Sequence, residues 1–236
     1  MRREEKRAGS LSDVAYEKLY CDITGGRLQP NERLIELDIA RELGVSRAAV
    51  RNALIRLEQE GLVKREPNRG ARVRLVSEEE AVEILEARMA LECVAVRHAA
   101  LNRTQEDLAE LRDLLSRMES RVREGDLLGA SEVNGQFHRR LIEISDHATI
   151  SRLLKMLNSQ LIRFQYRTIL TPGRPASSLA EHRAIFEAVE SGDPDRAEKA
   201  MRKHLSGVTE ALRQAAAQLP PRTPRTPRCI CSRQYC

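Results

Sequence analysis

The stretch from Glu36 to Val73 constrains the fold of this 236-residue chain more than any other. Apolar residues at helical spacing predict a short helix that stops at Gly44. A second helix follows Ser46, whose hydroxyl can cap it by accepting a backbone N–H. Gly61 ends that helix, and two short strands, over 62–66 and 71–75, are expected around a turn rich in Pro, Asn and Gly. Helix, turn, helix and hairpin together predict a winged helix-turn-helix.

Basic side chains gather on the two elements of this motif that a DNA duplex would meet. Residues 46–74 carry eight Lys or Arg against three acidic residues. They fall on the second helix and on the hairpin, where guanidinium groups can bond base edges or phosphates. An ordinary solvated helix face is the alternative. We favour DNA binding because the positive charge is concentrated on these two elements.

The segment from Tyr16 to Val73 resembles the DNA-binding domain of GntR-family transcriptional regulators. The matching motifs are GRLQPNERL, ELGVSR, VRNAL, LEQEGLV and PNRGARV. In that family the positions that match Arg47, Arg51 and Gly70 contact DNA, and many relatives have Glu where this chain has Asn52. The predicted DNA-binding residues are Ser46, Arg47, Arg51, Asn52, Arg56, Arg69 and Gly70.

Composition and capping signals divide the chain into four segments. Residues 1–9 are charged and expected to be disordered. We expect the winged helix-turn-helix domain over 10–76 and an all-helical effector-binding and dimerisation domain over 77–219. The last segment, 220–236, is expected to be a disordered Pro/Arg-rich tail. Six helices are predicted in the third segment, over about 78–101, 105–124, 126–145, 149–170, 178–190 and 194–217. The fold class is therefore mainly α, with an N-terminal winged helix-turn-helix and a C-terminal all-α antiparallel helical bundle.

The sequence carries no signal for a membrane or a secretory route. No window reaches the ~18 consecutive apolar residues of a transmembrane helix, and no signal peptide opens the chain. We therefore expect a cytoplasmic protein without a membrane partner. Its five cysteines are an odd number, which argues against a disulfide framework. The C-x-C pair of the tail is more simply inert than a metal site, because no matching ligands accompany it.

Three of the five histidines are placed so that they can converge. Asn134 and His138 share one face of the third bundle helix at i,i+4 spacing. His182 and His204 stand at nearly the same level on the two arms of the last helical hairpin. Spacing alone leaves two interpretations open, a metal site and satisfied core histidines. The other two histidines match no ligand position and are expected on the surface or in packing.

Residues 78–212 look like the FCD domain, the helical effector domain of the FadR-like branch of the GntR family. The matching motifs are RMALE, NGQFHRRL, EHRAIFEAVESGD and AMRKHL. The resemblance implies that Asn134, His138, His182 and His204 bind a divalent metal ion. Zinc is the first expectation, with nickel, cobalt and manganese as alternatives. Most metal-binding members have Asp at the position of Asn134, so this chain lacks one negative charge there.

Arg88 and Glu92 interrupt an otherwise apolar stripe on the first bundle helix. One interpretation is a buried ion pair between them. The other, which the resemblance to FCD domains favours, places Arg88 at the carboxylate of an effector. Three neutral imidazoles and a neutral amide would leave a divalent ion with its full charge, so a small organic acid is the expected effector.

Together these features predict a ligand-responsive transcriptional regulator, and a repressor rather than an activator. Because one recognition helix reads few bases, we expect a homodimer on a partly palindromic double-stranded operator. A direct metal sensor and a metalloenzyme fused to a DNA-binding head are the alternatives. We expect no enzyme, because no positioned base or nucleophile accompanies the metal ligands.

Overall fold

A helix-turn-helix followed by a small sheet forms the N-terminal domain. The computed structural model describes residues 2–66 and 70–217. The elements are α1 (Arg2–Thr24), β1 (Arg33–Leu34), α2 (Glu36–Leu43), α3 (Arg47–Gln59), β2 (Val63–Glu66) and β3 (Gly70–Val73). The turn forms as predicted. α2 ends where Gly44 takes a left-handed conformation, with φ of 64°. α3 begins where Ser46 Oγ accepts the Ala49 N–H at 3.1 Å.

A strand that the sequence analysis does not predict completes the wing. The described strands form an antiparallel sheet in the order β1-β3-β2. In it Arg33 pairs with Arg72 and Leu34 pairs with Ala71. β1 is two residues long, too short to show the alternation of a strand, and its partner lies far along the chain. The two hairpin strands begin within a residue of their predicted positions.

The N-terminus is helical where disorder over residues 1–9 is predicted. α1 begins at Arg2. Residues 2–8 are Arg, Glu, Lys and Ala, which are all good helix formers, and the segment has no proline. The later part of α1 packs on α3, and its buried side includes Ala15, Tyr16, Leu19 and Ile23. The helix can extend from there back to Arg2, because propagation needs no new nucleus.

Helices alone make up the described part of the C-terminal half. They are α4 (Glu78–Asn102), α5 (Gln105–Arg123), α6 (Leu127–Ile144), α7 (Ala148–Ile169), α8 (Arg174–Ser191) and α9 (Pro194–Ala217). The predicted caps form. Ser77 Oγ accepts the Glu80 N–H, and Thr104 and Asp107 form a capping box. The predicted all-helical bundle is thereby confirmed.

α8 begins at Arg174, four residues earlier than predicted. The sequence TPGRP suggests a loop, but Pro175 lies in the first helical turn, where its missing N–H leaves no bond unmade. This extra turn matters because it places the Arg174 side chain, 8% exposed, inside the protein.

α4 is the central helix of the bundle and packs against α6, α7, α8 and α9. The larger apolar cluster around it includes Leu111, Phe137, Leu141, Ile185 and Met201. A smaller cluster brings Leu85 of α4, Leu161 of α7 and Leu212 of α9 together. Leu205 of the larger cluster and Leu85 of the smaller one line the pocket that is described below.

Two predictions concern residues outside the described ranges. One is Arg69, a predicted DNA contact, and the other is the Pro/Arg-rich tail over 220–236. Among the helices that the structure describes, none combines the length and apolar character needed to span a bilayer.

Candidate metal centre and nucleic-acid interface

Three buried imidazoles from three helices meet inside the bundle. His138 comes from α6, His182 from α8 and His204 from α9. One ring nitrogen of each lies within 4.8 Å of those of the other two. His138 Nε2 and His182 Nε2 are 3.2 Å apart. The structure therefore brings together the three histidines that the sequence analysis singles out.

Each of these rings is held through its Nδ1 atom. His138 Nδ1 donates to Glu92 Oε2 at 2.7 Å, and His204 Nδ1 donates to Glu181 Oε2 at 2.8 Å. His182 Nδ1 donates to the Ser178 carbonyl at 2.6 Å. Because these oxygens accept hydrogen bonds, each Nδ1 carries a proton, and in a neutral ring the lone pair is then on Nε2. Such anchoring of the far nitrogen is the usual support of a metal-binding histidine.

Burial keeps the rings of His182 and His204 neutral. It lowers the pKa of His182 to about 3, and the neighbouring His138 acts in the same direction. Burial, with His182 and His138 beside it, also holds the pKa of His204 well below its ordinary value. Neutral imidazoles can bind a metal ion without first losing a proton. Without an ion or a shared proton, the lone pairs on two Nε2 atoms 3.2 Å apart repel each other.

Asn134 supplies an unpaired acceptor beside the imidazoles. It lies one turn before His138 on α6, and its Oδ1 atom is buried without a hydrogen-bond partner among the described residues. Unpaired buried acceptors are uncommon because each one loses its bonds to water. Asn134, His138 and His204 line the same pocket. Three neutral nitrogens and one amide oxygen suit a divalent ion such as zinc.

The pocket continues from the imidazoles towards α4 and α7. Its volume is about 60 Å³, several times the ~10–15 Å³ that a single water needs. The polar lining includes Arg88, Asn134, His138, Thr168, Arg174 and His204. Leu85, Leu161 and Phe164 form part of its apolar wall. A small ligand with a polar end and an apolar body fits this lining.

Arg88 forms the buried ion pair that was the alternative interpretation of its position. Its Nε and Nη2 atoms donate to Glu92 Oε1 at 2.9 and 2.6 Å. Burial disfavours ionisation of Glu92, but Arg88 and His138 outweigh this effect and lower the pKa of Glu92 to about 2. Arg88 also lines the pocket. One carboxylate thus connects the predicted effector residue to a predicted metal ligand.

The structure contains a second, largely buried ion pair that was not predicted from the sequence. Arg174 Nη1 donates to Glu181 Oε2 at 2.8 Å, and that oxygen also holds His204. Arg174 Nη2 lies 3.5 Å from the same His204 Nδ1. The Glu181 carboxylate is closer, so the proton of Nδ1 points to Glu181. The i,i+7 spacing of Arg174 and Glu181 reveals this pair only once α8 is known to begin at Arg174.

His98 and His147 lie apart from this cluster. Their rings form an edge-on pair with centroids 5.5 Å apart, and His147 caps α7 by accepting the Ile150 N–H. Both have the surface or packing roles that the sequence analysis assigns to them.

The predicted DNA-binding residues fall on three parts of the N-terminal domain. Arg47, Arg51 and Asn52 are exposed on the first turns of α3, where Ser46 serves as the cap. Gly70 begins β3 with φ of +83°, and a Cβ there would lie 2.9 Å from the Leu34 carbonyl oxygen. Glycine is therefore required at this end of the wing.

Arg56 points elsewhere. It pairs with Asp13 at 2.6 Å, and its guanidinium carbon lies 3.9 Å from the centre of the Tyr16 ring. Both partners belong to α1. The structure therefore places Arg56 on the flank of α3 that faces α1, rather than beside Arg47 and Arg51.

Comparison with known proteins accounts for both halves of the chain. Residues 11–73 match the family of bacterial regulatory proteins named gntR, and residues 83–207 match the FCD domain. The chain belongs to the GntR family of bacterial transcriptional regulators. It is a DNA-binding transcriptional regulator with a winged helix-turn-helix and a C-terminal FCD domain.

Two similar proteins are named as repressors, one of them as a probable one. The chain is 29% identical over 204 residues to the HTH-type transcriptional repressor RspR of Escherichia coli, covering 86% of this chain and 90% of RspR. It is 32% identical over 197 residues to a probable D-xylose utilization operon transcriptional repressor of Paenarthrobacter nicotinovorans, covering 82% and 84%. E. coli McbR/YncC has the same fold, with a TM-score of 0.72 at 24% identity over 87% of this chain and 98% of that one.

Proposed function

We propose that this GntR regulator is a repressor whose FCD domain binds a divalent metal ion and, through that ion, a small carboxylate metabolite. The observation that carries the proposal is the anchoring of His138, His182 and His204. Each ring is held by an acceptor at Nδ1, which leaves the three Nε2 atoms inside one buried cluster. Asn134 Oδ1 offers a fourth ligand atom. Zinc suits three nitrogens and one oxygen best.

The charge of the site supports a carboxylate as the effector. Arg88 is paired with Glu92, and Arg174 with Glu181, so these four side chains nearly cancel. The four ligands are neutral, and a bound divalent ion would keep its charge of +2 in a buried place. An anion in the pocket would offset that charge, and Arg88 or Arg174 could exchange part of its pairing for the anion.

The regulatory step follows from where the pocket lies. Its walls come from α4, α6, α7, α8 and α9, so a ligand there would bias the packing of the bundle. We expect two copies of the chain to hold two recognition helices on a partly palindromic operator. A change of bundle packing would alter the spacing of the two DNA-binding heads and release the operator.

Metal binding can be tested directly. The full chain is purified without a chelator or a histidine tag, and its metal content is measured by mass spectrometry. We expect close to one zinc, or another divalent ion, per chain in the wild type and less than a tenth of that in His182→Asn. The matched control, His98→Asn, changes an exposed histidine and should keep the metal. Metal content unchanged by His182→Asn would overturn the metal site.

Effector binding needs a second experiment, with the DNA upstream of the chain's own gene as probe. DNA affinity is measured by gel shift with apo protein, with zinc alone, and with zinc plus one of several small organic acids. Release only by zinc and an acid together supports the proposal. A response to zinc alone supports a direct metal sensor, and consumption of the acid supports a metalloenzyme. If no acid changes either DNA affinity or melting temperature, the carboxylate part fails.

A further inference from the structure

A carboxylate at the start of α2 holds the exposed arginines of the recognition helix. Glu36 is the first residue of α2. Arg51 Nε donates to Glu36 Oε1 at 3.2 Å, and Arg51 Nη2 donates to Glu36 Oε2 at 3.0 Å. Arg47, one turn earlier on α3, places its Nη2 atom 4.0 Å from the same Oε2. One acidic side chain therefore pairs with both arginines that are predicted to contact DNA.

The pair differs from an ordinary solvated ion pair in two ways. The Glu36 side chain is only 20% exposed, whereas that of Arg51 is 55% exposed. The hydrogen bonds from Arg51 also lower the pKa of Glu36 against the effect of burial, so the carboxylate is ionised at neutral pH. Two bonds from two different nitrogens fix the plane of the guanidinium group, which a single contact would leave free to rotate.

This geometry leaves a particular edge of Arg51 open. Nε and Nη2 form the side edge of the guanidinium group and face Glu36. The other Nη2 proton and one of the two Nη1 protons form the end edge. With the side edge taken by Glu36, the end edge can donate two parallel hydrogen bonds to O6 and N7 of a guanine in the major groove.

We propose that Glu36 is a positioning residue for sequence-specific DNA binding, holding Arg51 with its end edge towards a guanine of the operator. Holding the side chain beforehand reduces the rotamer freedom that Arg51 loses on binding. The negative charge of Glu36 also offsets part of the attraction of Arg51 and Arg47 for phosphates. Both effects raise the ratio of specific to non-specific affinity.

The chain contains a matched pair that lacks these features. Arg56 lies on the same helix and pairs with Asp13 of α1. Asp13 is 66% exposed, and it binds a single nitrogen of an arginine that already lies on the Tyr16 ring. Removing the charge of Asp13 should leave base preference unchanged, and Asp13→Asn is therefore the control for Glu36→Gln.

The test measures base preference rather than affinity alone. Duplexes are first selected from a random library with the full-length wild-type chain. Dissociation constants are then measured for the selected duplex, for every single-base change in it, and for a scrambled duplex, at several salt concentrations. The proteins compared are the wild type, Glu36→Gln, Glu36→Asp, Arg51→Ala and Asp13→Asn.

We expect Arg51→Ala and Glu36→Gln to lose preference for guanine at the same position of each half-site, by about tenfold or more. Glu36→Gln should bind the scrambled duplex as well as, or better than, the wild type. Glu36→Asp keeps the charge at the start of α2 but has a shorter reach, so it should show the same loss of preference with a wild-type melting temperature.

Several results would overturn the proposal. One is a guanine preference in Glu36→Gln and Glu36→Asp equal to that of the wild type. Another is an equal loss of affinity for all duplexes, including the scrambled one, which would indicate a purely structural role. A third is an Arg51→Ala variant whose base preferences are unchanged. These experiments compare base preferences without any effector, so their failure is distinguishable from failure of the metal and effector experiments.

Discussion

Gln160 of α7 and Arg74, in the segment after β3, are joined by a hydrogen bond of 2.8 Å from Arg74 Nη1 to Gln160 Oε1. Gln160 Nε2 also donates to the Glu60 carbonyl, at the end of α3, at 3.1 Å. The amide of one side chain thus connects the DNA-binding head to the helical bundle. The next residue, Leu161, lines the pocket. A movement of α7 in response to a ligand would therefore reach the end of the recognition helix directly.

The first prediction concerns this connection. Gln160→Ala removes the two hydrogen bonds that this side chain makes to the head, and we expect it to destabilise the contact between head and bundle by about 1–3 kcal/mol. Calorimetry should then resolve two melting transitions where the wild type has one. Gln214→Ala is the control, because Gln214 is exposed and bonds only within α9. A single transition at the wild-type temperature would show that the two halves are held together by other contacts.

The second prediction concerns Glu92, which serves Arg88 and His138 together. Glu92→Gln leaves the charge of Arg88 buried without a partner and should lower the free energy of unfolding by about 3–5 kcal/mol. It should also weaken metal binding by about 10–100-fold, because the carboxylate no longer orients His138.

These two consequences of Glu92→Gln can be separated. Adding Arg88→Met removes the unpaired charge, so the double variant should recover stability in urea unfolding while its zinc affinity stays low. If zinc affinity recovers together with stability, Glu92 acts on the metal only through the fold.

The third prediction concerns the charge of the proposed metal site. Asn134→Asp supplies the acidic ligand that most metal-binding FCD domains have. We expect zinc to bind at least tenfold more tightly, since the bound ion would then be partly neutralised. A carboxylate effector should bind more weakly for the same reason. Isothermal titration with zinc, and then with the effector acid on zinc-loaded protein, measures both. The idea of charge compensation fails if both affinities move in the same direction.

The fourth prediction concerns the acid stability of the metal-free protein. His182 has a pKa of about 3 in the folded chain, against an ordinary value of about 6.5 when unfolded. Between these values the unfolded chain binds the proton and the folded chain does not, so the free energy of unfolding falls as pH falls. The loss is about 1.4 kcal/mol per pH unit, or about 2 kcal/mol at pH 5 from this residue.

Urea unfolding of chelator-treated protein at pH 7 and pH 5 measures this loss. His182→Asn should have the shallower pH dependence, while His98→Asn should match the wild type. Equal dependence in His182→Asn and the wild type would mean that His182 is protonated in the folded state.

Much of the fold was accessible from the sequence because its signals are local. The turn between α2 and α3 depends on Gly44 and Ser46, and the bundle helices begin at capping residues beside their first turns. The level of His182 and His204 on the last helical hairpin also followed from helix geometry, whereas the choice of His138 as their partner depended on the resemblance to FCD domains. DNA contacts by individual residues and the metal itself remain predictions.

The amino-acid sequence by itself determined a winged head and a helical bundle, because helix spacing and capping are properties of neighbouring residues. Only the tertiary structure decided that Glu92, Ser178 and Glu181 hold those rings, that Arg174 is buried, and that β1 pairs with β3. It also decided that Arg51 is held by Glu36 while Arg56 turns to α1. Most of these contacts join residues far apart in the chain. Such contacts leave no periodic pattern, and packing alone selects the partners.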